Sequence, residues 1–313
     1  MTAVAMIGLL LFLAGDMPVY AVRSSREVLT EQAVQQQQAV RQEEQLPMQA
    51  LEKLKKAESM HAVLNLDLEV EVFGINLDAR AVSDMIAFRA PHLLKSEINL
   101  DLGLLGETGQ EMYIREGKSG YEVYAHTAEG WDYKKIPATS VRRYDGLQMM
   151  QTYLEQITDW ELQGISTLAS GKARLYHGVV KGEGLKEILL NTESMEVVQE
   201  LLEETALKPF AAALGQKEKL QSMMETAADL PICLWIDIAT GYPVRCEMDI
   251  TKMLSDAYQE LVDSLRQQKV NRAGLKLLEA IDITETKITI LCDDYNEAEA
   301  IMLPKAALEA RIP

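Results

Sequence analysis

The chain has 313 residues, a hydrophobic fraction of 48% and a formal net charge of −17 at pH 7. This length can hold one large domain or two small ones, with enough apolar side chains for a sizeable core. The negative charge repels nucleic-acid phosphates and anionic lipid head groups, so we expect no nucleic-acid partner. Three cysteines are too few for a disulfide scaffold.

The N-terminal segment is typical of an export signal. Residues 1–14 are almost wholly apolar, but a transmembrane helix needs about 20 such residues. Val19 and Ala21 are small residues that predict cleavage after Ala21. We therefore expect residues 1–21 to be a signal peptide, and the mature protein to be secreted or associated with the cell surface, without a stable membrane span. A buried N-terminal helix is the alternative.

Two further regions follow the predicted signal peptide. Residues 22–45 are rich in Gln and Glu and low in complexity, which indicates a flexible tether. We interpret residues 46–313 as a single domain. A division into two domains near residue 182 is the alternative, although no linker composition is found there.

Strict alternation of apolar and polar residues begins after a short amphipathic helix predicted over residues 47–59. It runs through residues 64–72, 75–81 and 94–102, and this period of two predicts β-strands with one dry face. Hairpins continue towards the C-terminus, and a last short strand is predicted near residues 300–303.

Amphipathic helices are predicted over residues 144–157, 194–228 and 253–268, interleaved with the hairpins. Long antiparallel strands with one dry face need a cover, and these helices can provide it. The predicted fold class is therefore α+β: a strongly curved antiparallel β-sheet, or half-barrel, with helices packed in its concave face.

A hairpin over residues 234–244 reads Leu-Trp-Ile-Asp-Ile-Ala-Thr-Gly-Tyr-Pro-Val. Asp237 and Gly241 suit a tight turn, because Asp accepts hydrogen bonds from turn amides and Gly tolerates positive φ. The hairpin resembles one found in LolA-like and LppX-like carrier domains, including secreted members from Gram-positive bacteria. The pair Gly130-Trp131 with Tyr133, and the ending over residues 295–307, are also similar to that group.

This resemblance covers roughly residues 46–310 and implies a half-barrel closed by helices around an apolar cavity for acyl chains. It implies no catalytic residues. The chain departs from lipidated members because no acceptor Cys follows the apolar N-terminal run. The side chains that we predict to line the cavity are Leu66, Leu68, Leu100, Leu102, Trp131, Met195 and Trp235. Ordinary core packing is the alternative for each of them.

No pattern of catalytic or metal-binding residues stands out. The four histidines have no metal-ligand spacing, and the serines have no nucleophile-elbow context. Asp293, Asp294 and Glu297 lack the EF-hand pattern, so we interpret them as a solvated turn. We expect no enzyme, no metal and no cofactor.

The function predicted from the sequence is an extracytoplasmic, non-enzymatic binding protein. Its partner would be a lipid or another apolar small molecule held between sheet and helices. The alternative is a protein-interaction or envelope-sensor domain on the same fold, with an extracytoplasmic protein as partner and no small ligand.

Cys233 and Cys246 flank the turn at Thr240 and Gly241. With a four-residue loop, residues 238–241, they would face each other and could form a disulfide, whereas a three-residue loop would shift the register by one and put them on opposite faces. Two free buried thiols are the alternative, and Cys292 is expected to be unpaired in either case.

Overall fold

The computed structural model describes residues 46–101, 103, 106–118, 120–127, 130–136, 146–182, 184, 229–267, 275–276 and 278–310. The predicted signal peptide, the tether and the helical region over residues 194–228 lie outside the described residues.

Eleven antiparallel strands form one sheet in the order β6-β5-β4-β3-β2-β1-β11-β10-β9-β8-β7. The strands are β1 (Ser59–Val72), β2 (Ile75–Arg89), β3 (His92–Asp101), β4 (Glu107–Gly117), β5 (Gly120–Thr127), β6 (Gly130–Ile136), β7 (Ile157–Leu168), β8 (Gly171–Val180), β9 (Leu230–Asp237), β10 (Pro243–Asp249) and β11 (Ile281–Asp293). The strands β1–β6 and β7–β11 are two meanders, joined where β1 pairs with β11. The strands β8 and β9, on either side of residue 182 in sequence, pair within this same sheet.

The alternating segments form strands because each has one apolar face to bury. In β1, Leu66 and Leu68 are nearly fully buried, while Asn65 and Asp67 point to the other face. The β1–β2 pair continues without interruption from Ser59↔Phe88 to Val72↔Ile75. We call the face that carries Leu66 and Leu68 the inner face, and the opposite one the outer face.

Three helices pack their apolar residues against the inner face: α1 (Leu46–Lys56), α2 (Gly146–Glu155) and α3 (Thr251–Gln267). Pro47 occupies the first turn of α1, where its missing N–H costs nothing, and three lysines lie in the last turn. None of the described helices is long and apolar enough to cross a bilayer. The α+β class with a large antiparallel sheet and packed helices is confirmed.

Helix α1 is shorter than the sequence predicted, because Ser59 already belongs to β1. The amide of Arg89 donates a hydrogen bond to the carbonyl of Glu58 at 2.8 Å, so the chain has joined the sheet by that residue.

The strand predicted over residues 300–303 is wrong. These residues form no strand and lead into the short helix α4 (Lys305–Glu309). Ile301, Leu303 and Ala307 pack instead against Tyr113 and Tyr124 on the outer face. Their apolar side chains are buried against the face of the sheet, so the backbone does not extend its edge.

The disulfide between Cys233 and Cys246 is not formed, and all three cysteines are free. The Asp237 amide donates a hydrogen bond to the Tyr242 carbonyl at 2.9 Å, so the loop between the two residues has four residues, 238–241. A register shift between Pro243 and Arg245 then places Cys246 opposite Leu234, and Cys233 opposite Glu247. One extra residue turns the two thiols to opposite faces.

Candidate ligand-binding face

Three of the predicted lining residues lie together on the inner face. Leu66 pairs with Ala81, and Ala81 pairs with Leu100. Directly opposed residues in adjacent strands point to the same face, so these side chains form one apolar row across β1–β3. Leu66, Leu68 and Leu100 are 2%, 4% and 3% exposed, so they are fully removed from water in the structure.

The inner face carries two apolar clusters side by side. The larger one joins residues of α1, α2 and α3 to β1, β2 and β7–β11. The smaller one consists of Leu94, Ile114 and Val123, with partly buried neighbours that include Met85 and Tyr121, and it contains no residue from a described helix. Met85 packs against both clusters, so the apolar surface is continuous beyond the strands that the described helices cover.

Titratable groups on the inner face are held in their neutral forms. Burial raises the pKa of the Cys292 thiol to about 12, and burial raises the pKa of Tyr153 to about 12. The Cys292 Sγ atom lies 3.7 Å from the Met150 Sδ atom of α2, at the boundary between helix and sheet. A buried thiol packed against a buried thioether indicates a dry, apolar interior.

The two predicted tryptophans do not share this face. Trp235 lies between Leu234 and Ile236, which both belong to the larger cluster of the inner face. Its own side chain therefore points to the outer face. Its ring is covered there by the Arg245 guanidinium, 5.1 Å from the ring centroid. Trp131 packs on the outer face against the cluster of Tyr113, Tyr124 and Ala307, and the centroid of its ring lies 5.9 Å from that of Tyr113. Leu102 and Met195, the remaining predicted lining residues, lie outside the described residues.

The turn between β9 and β10 holds the first helix in place. Asp237 Oδ1 accepts hydrogen bonds from the Thr240 amide at 2.6 Å and the Thr240 hydroxyl at 2.8 Å. Gly241 has φ +70°, where any Cβ would also lie 2.9 Å from Lys53 Nζ. Lys53 of α1 donates to the Thr240 carbonyl. Asp237 and Gly241 have the roles predicted for them from the sequence, and both serve to shape the turn.

A buried polar network on the outer face was not predicted from the sequence. The Arg115 guanidinium donates through Nε to Glu122 Oε2 at 2.8 Å, and through Nη2 to the Tyr124 hydroxyl at 3.0 Å. The Tyr124 hydroxyl donates to the same Glu122 oxygen at 3.0 Å. Glu122 is 6% exposed. Its alternating position in a hairpin strand, opposite an Arg, is the sequence pattern that could have indicated the pair.

His61 stands in the middle of the outer face between carboxylates. Its Nδ1 lies 2.6 Å from Asp293 Oδ1, and its Nε2 lies 3.2 Å from Asp84 Oδ1. Burial lowers the pKa of His61, but hydrogen bonding to Asp293 and the charges of both carboxylates outweigh it, so the pKa is raised above 6.5. Ligand atoms of His61, Asp293 and Asp294 lie within 4.8 Å of one another, a grouping that the sequence did not predict.

Comparison with known proteins gives matches among solved structures. No protein-family model matches the chain, and no curated protein sequence matches it. The structure is similar to lipoprotein LppX of Mycobacterium tuberculosis, with a TM-score of 0.42 and 13% identity over 82% of this chain and 96% of that one. LprF of Mycobacterium bovis matches with a TM-score of 0.43 and 14% identity over 83% of this chain and 96% of that one.

A DUF1329 family protein of Desulfovibrio piger matches with a TM-score of 0.21 and 9% identity, covering 80% of this chain and 89% of that one.

Proposed function

We propose that this chain is an extracytoplasmic, non-enzymatic binding protein that holds a lipid or another apolar ligand between its sheet and its helices. The observation that carries the proposal is the continuous apolar inner face, which extends from the helix-covered cluster through Met85 to Leu94, Ile114 and Val123. Covering an apolar surface of this kind and excluding water from it lowers the free energy.

The ligand would lie along β2–β6 against the partly buried neighbours of the smaller cluster, Met85, Met112, Tyr121 and Ile136, because Leu94, Ile114 and Val123 themselves are 1%, 0% and 3% exposed. The row of Leu66, Leu68 and Leu100 continues this surface towards the centre of the sheet. The buried thiol of Cys292 and the buried thioether of Met150 beside it suit an acyl chain better than a charged ligand.

A second candidate function is a protein-interaction or sensor domain without a small ligand. Phe73 and Ile75 at the β1–β2 turn favour it, because their side chains are 70% and 60% exposed. Phe73 has φ 54°, which belongs to the left-handed region that such a residue rarely adopts. Two large apolar side chains at the tip of one hairpin are a contact surface for an extracytoplasmic protein.

Purified protein separates the two candidates. We expect lipid extracted from it to be detected by mass spectrometry, and a fluorescent fatty acid to bind saturably. The double variant Phe73→Ser/Ile75→Ser is the matched control: it should retain fatty-acid binding if the inner face is the site. Absence of both co-purified lipid and fatty-acid binding would refute the carrier proposal and favour the interaction domain.

The proposed location is tested separately. The mature protein should begin at Val22 and be recovered outside the cytoplasm. N-terminal sequencing that found Met1 on the abundant form would count against export.

A further inference from the structure

A second concave site lies at the end of the sheet away from the β1–β2 turn, between the β2–β3 and β4–β5 turns. It has a volume of about 570 Å³, within the roughly 300–1,000 Å³ of typical small-molecule pockets. We call it the hairpin pocket. Its lining includes Arg115, Glu116, Lys118, Tyr121, Glu122 and Lys135.

The pocket gathers positive charge in a strongly acidic chain. Its lining has three cations, Arg115, Lys118 and Lys135, against the carboxylates of Glu116 and Glu122, whereas the whole chain has a net charge of −17. Glu122 is already bound to Arg115 at 2.7 Å. Neither Lys118 nor Lys135 forms an ion pair within the described part of the chain. Both ammonium groups are therefore available to an anion.

Arg115 is fixed in position before any ligand arrives. Its Nε and Nη2 atoms are bound to Glu122 and Tyr124, and its guanidinium carbon lies 5.4 Å from the centroid of the Tyr124 ring. No described residue accepts a hydrogen bond from Nη1. A guanidinium held on one side by a buried carboxylate presents its other side in a fixed direction, which lowers the entropic cost of binding.

The pocket also has an aromatic wall. The Tyr121 ring contacts His92 edge to face, with ring centroids 5.1 Å apart, so its orientation is restrained. Tyr121 and Lys135 belong to opposite faces of the sheet, because Lys135 pairs with Glu122, the next residue along β5. The pocket therefore wraps around the end of the hairpin and combines an apolar surface with cations.

We propose that the hairpin pocket binds a small anionic molecule, whose carboxylate or phosphate group sits between Arg115, Lys118 and Lys135 and whose body rests on Tyr121. Arg115 and Lys135 lie on the outer face, whereas Tyr121 also borders the smaller cluster of the inner face, so the two proposed sites meet at Tyr121. Charge-assisted hydrogen bonds from Arg and Lys are the usual means of holding such groups.

The test uses the full mature chain and two probes, inorganic phosphate and acetate, titrated at constant ionic strength. Amide resonances of Gly117, Gly120, Tyr121 and Glu122 should shift saturably with at least one probe, and the comparison of the two identifies the preferred group. The variant Lys118→Gln/Lys135→Gln should bind that probe about tenfold more weakly or worse, which corresponds to a loss of about 1.4 kcal/mol or more, because both ammonium donors are removed.

The matched control is Lys172→Gln/Lys305→Gln, which changes the net charge equally at two exposed positions outside the pocket. It should bind the probe as the unmodified chain does. Shifts that stay linear for both probes, or an equal loss of affinity in both double variants, would overturn the proposal. Fatty-acid binding should be the same in both variants, so a failure of the carrier proposal is recognised independently.

Discussion

Tyr242 and Tyr295 stack face to face, with ring centroids 4.2 Å apart and an angle of 8° between the planes. The stack joins the β9–β10 turn to the segment that follows β11. The Tyr295 hydroxyl donates to the carbonyl of Pro243 at 2.7 Å, and burial raises its pKa well above the ordinary value, so it remains a donor. Asn296 donates to the Tyr242 hydroxyl at 3.0 Å and completes the contact.

Replacing Tyr295 by Phe should lower the free energy of unfolding by about 1 kcal/mol, because one hydrogen bond is lost and the stack is kept. Replacing it by Ala should cost about 3–5 kcal/mol, because the ring and its packing are lost as well. Urea unfolding of both variants measures the two terms. Equal losses in both would show that the stack contributes nothing.

Leu66→Ala should lower the free energy of unfolding by about 2–5 kcal/mol, because the side chain is 2% exposed and packed in the inner cluster. The control is Ile165→Ala, at a position that is 65% exposed, where the change should stay within about 0.5 kcal/mol. Leu100→Ala should cost clearly less than Leu66→Ala if Leu100 borders space for a ligand. Equally large losses would favour a filled core.

Protonation of His61 should stabilise the fold. Because its pKa is raised in the folded state, the contribution is fully present below the unfolded value of about 6.5 and is lost as the pH rises through the folded pKa. The difference in unfolding free energy between the unmodified chain and His61→Gln should therefore be larger at pH 5 than at pH 9. Asp84 and Asp293 are the partners, and a ring-proton titration that gave a pKa below 6.5 would contradict the assignment.

Thiol alkylation under denaturing, non-reducing conditions should label all three cysteines. In the native protein Cys233 should react first, because it is half-buried while Cys246 and Cys292 are buried. Burial also raises the pKa of all three thiols, so native labelling should be slow at neutral pH. One labelled cysteine after denaturation would indicate a disulfide and contradict the register of β9 and β10.

The sequence was sufficient for the strands because their burial is one-sided. Leu66 and Leu68 were placed on a dry face by alternation alone, and the turn at Asp237 and Gly241 by turn chemistry. Both depend on neighbours close in the chain, so local sequence contains the information.

The register of the strands, and the face of the sheet on which a given side chain lies, were harder to predict from the sequence. The register shift between Pro243 and Arg245 displaces Cys246 by one residue relative to β9, and the composition of the hairpin does not predict this shift. Trp131 and Trp235 were predicted to line the cavity because they are large apolar residues. Side chains alternate between the two faces of a strand, so the face of each tryptophan is fixed by its neighbours, such as Leu234 beside Trp235. The Arg115–Glu122 pair depends on the register of the β4–β5 hairpin, which places the two residues opposite each other.

The pairing of β1 with β11 determines when the sheet can be completed. His61 is opposite Asp293, so the central ladder joins residues that are 232 positions apart in the chain. During synthesis, the β1–β6 meander can assemble early, but the edge of β1 stays unpaired until β11, the last of the described strands, has been made. Native folding is thus a late event with slow, non-local closure, and truncation before β11 would leave β1 open to pairing with other chains.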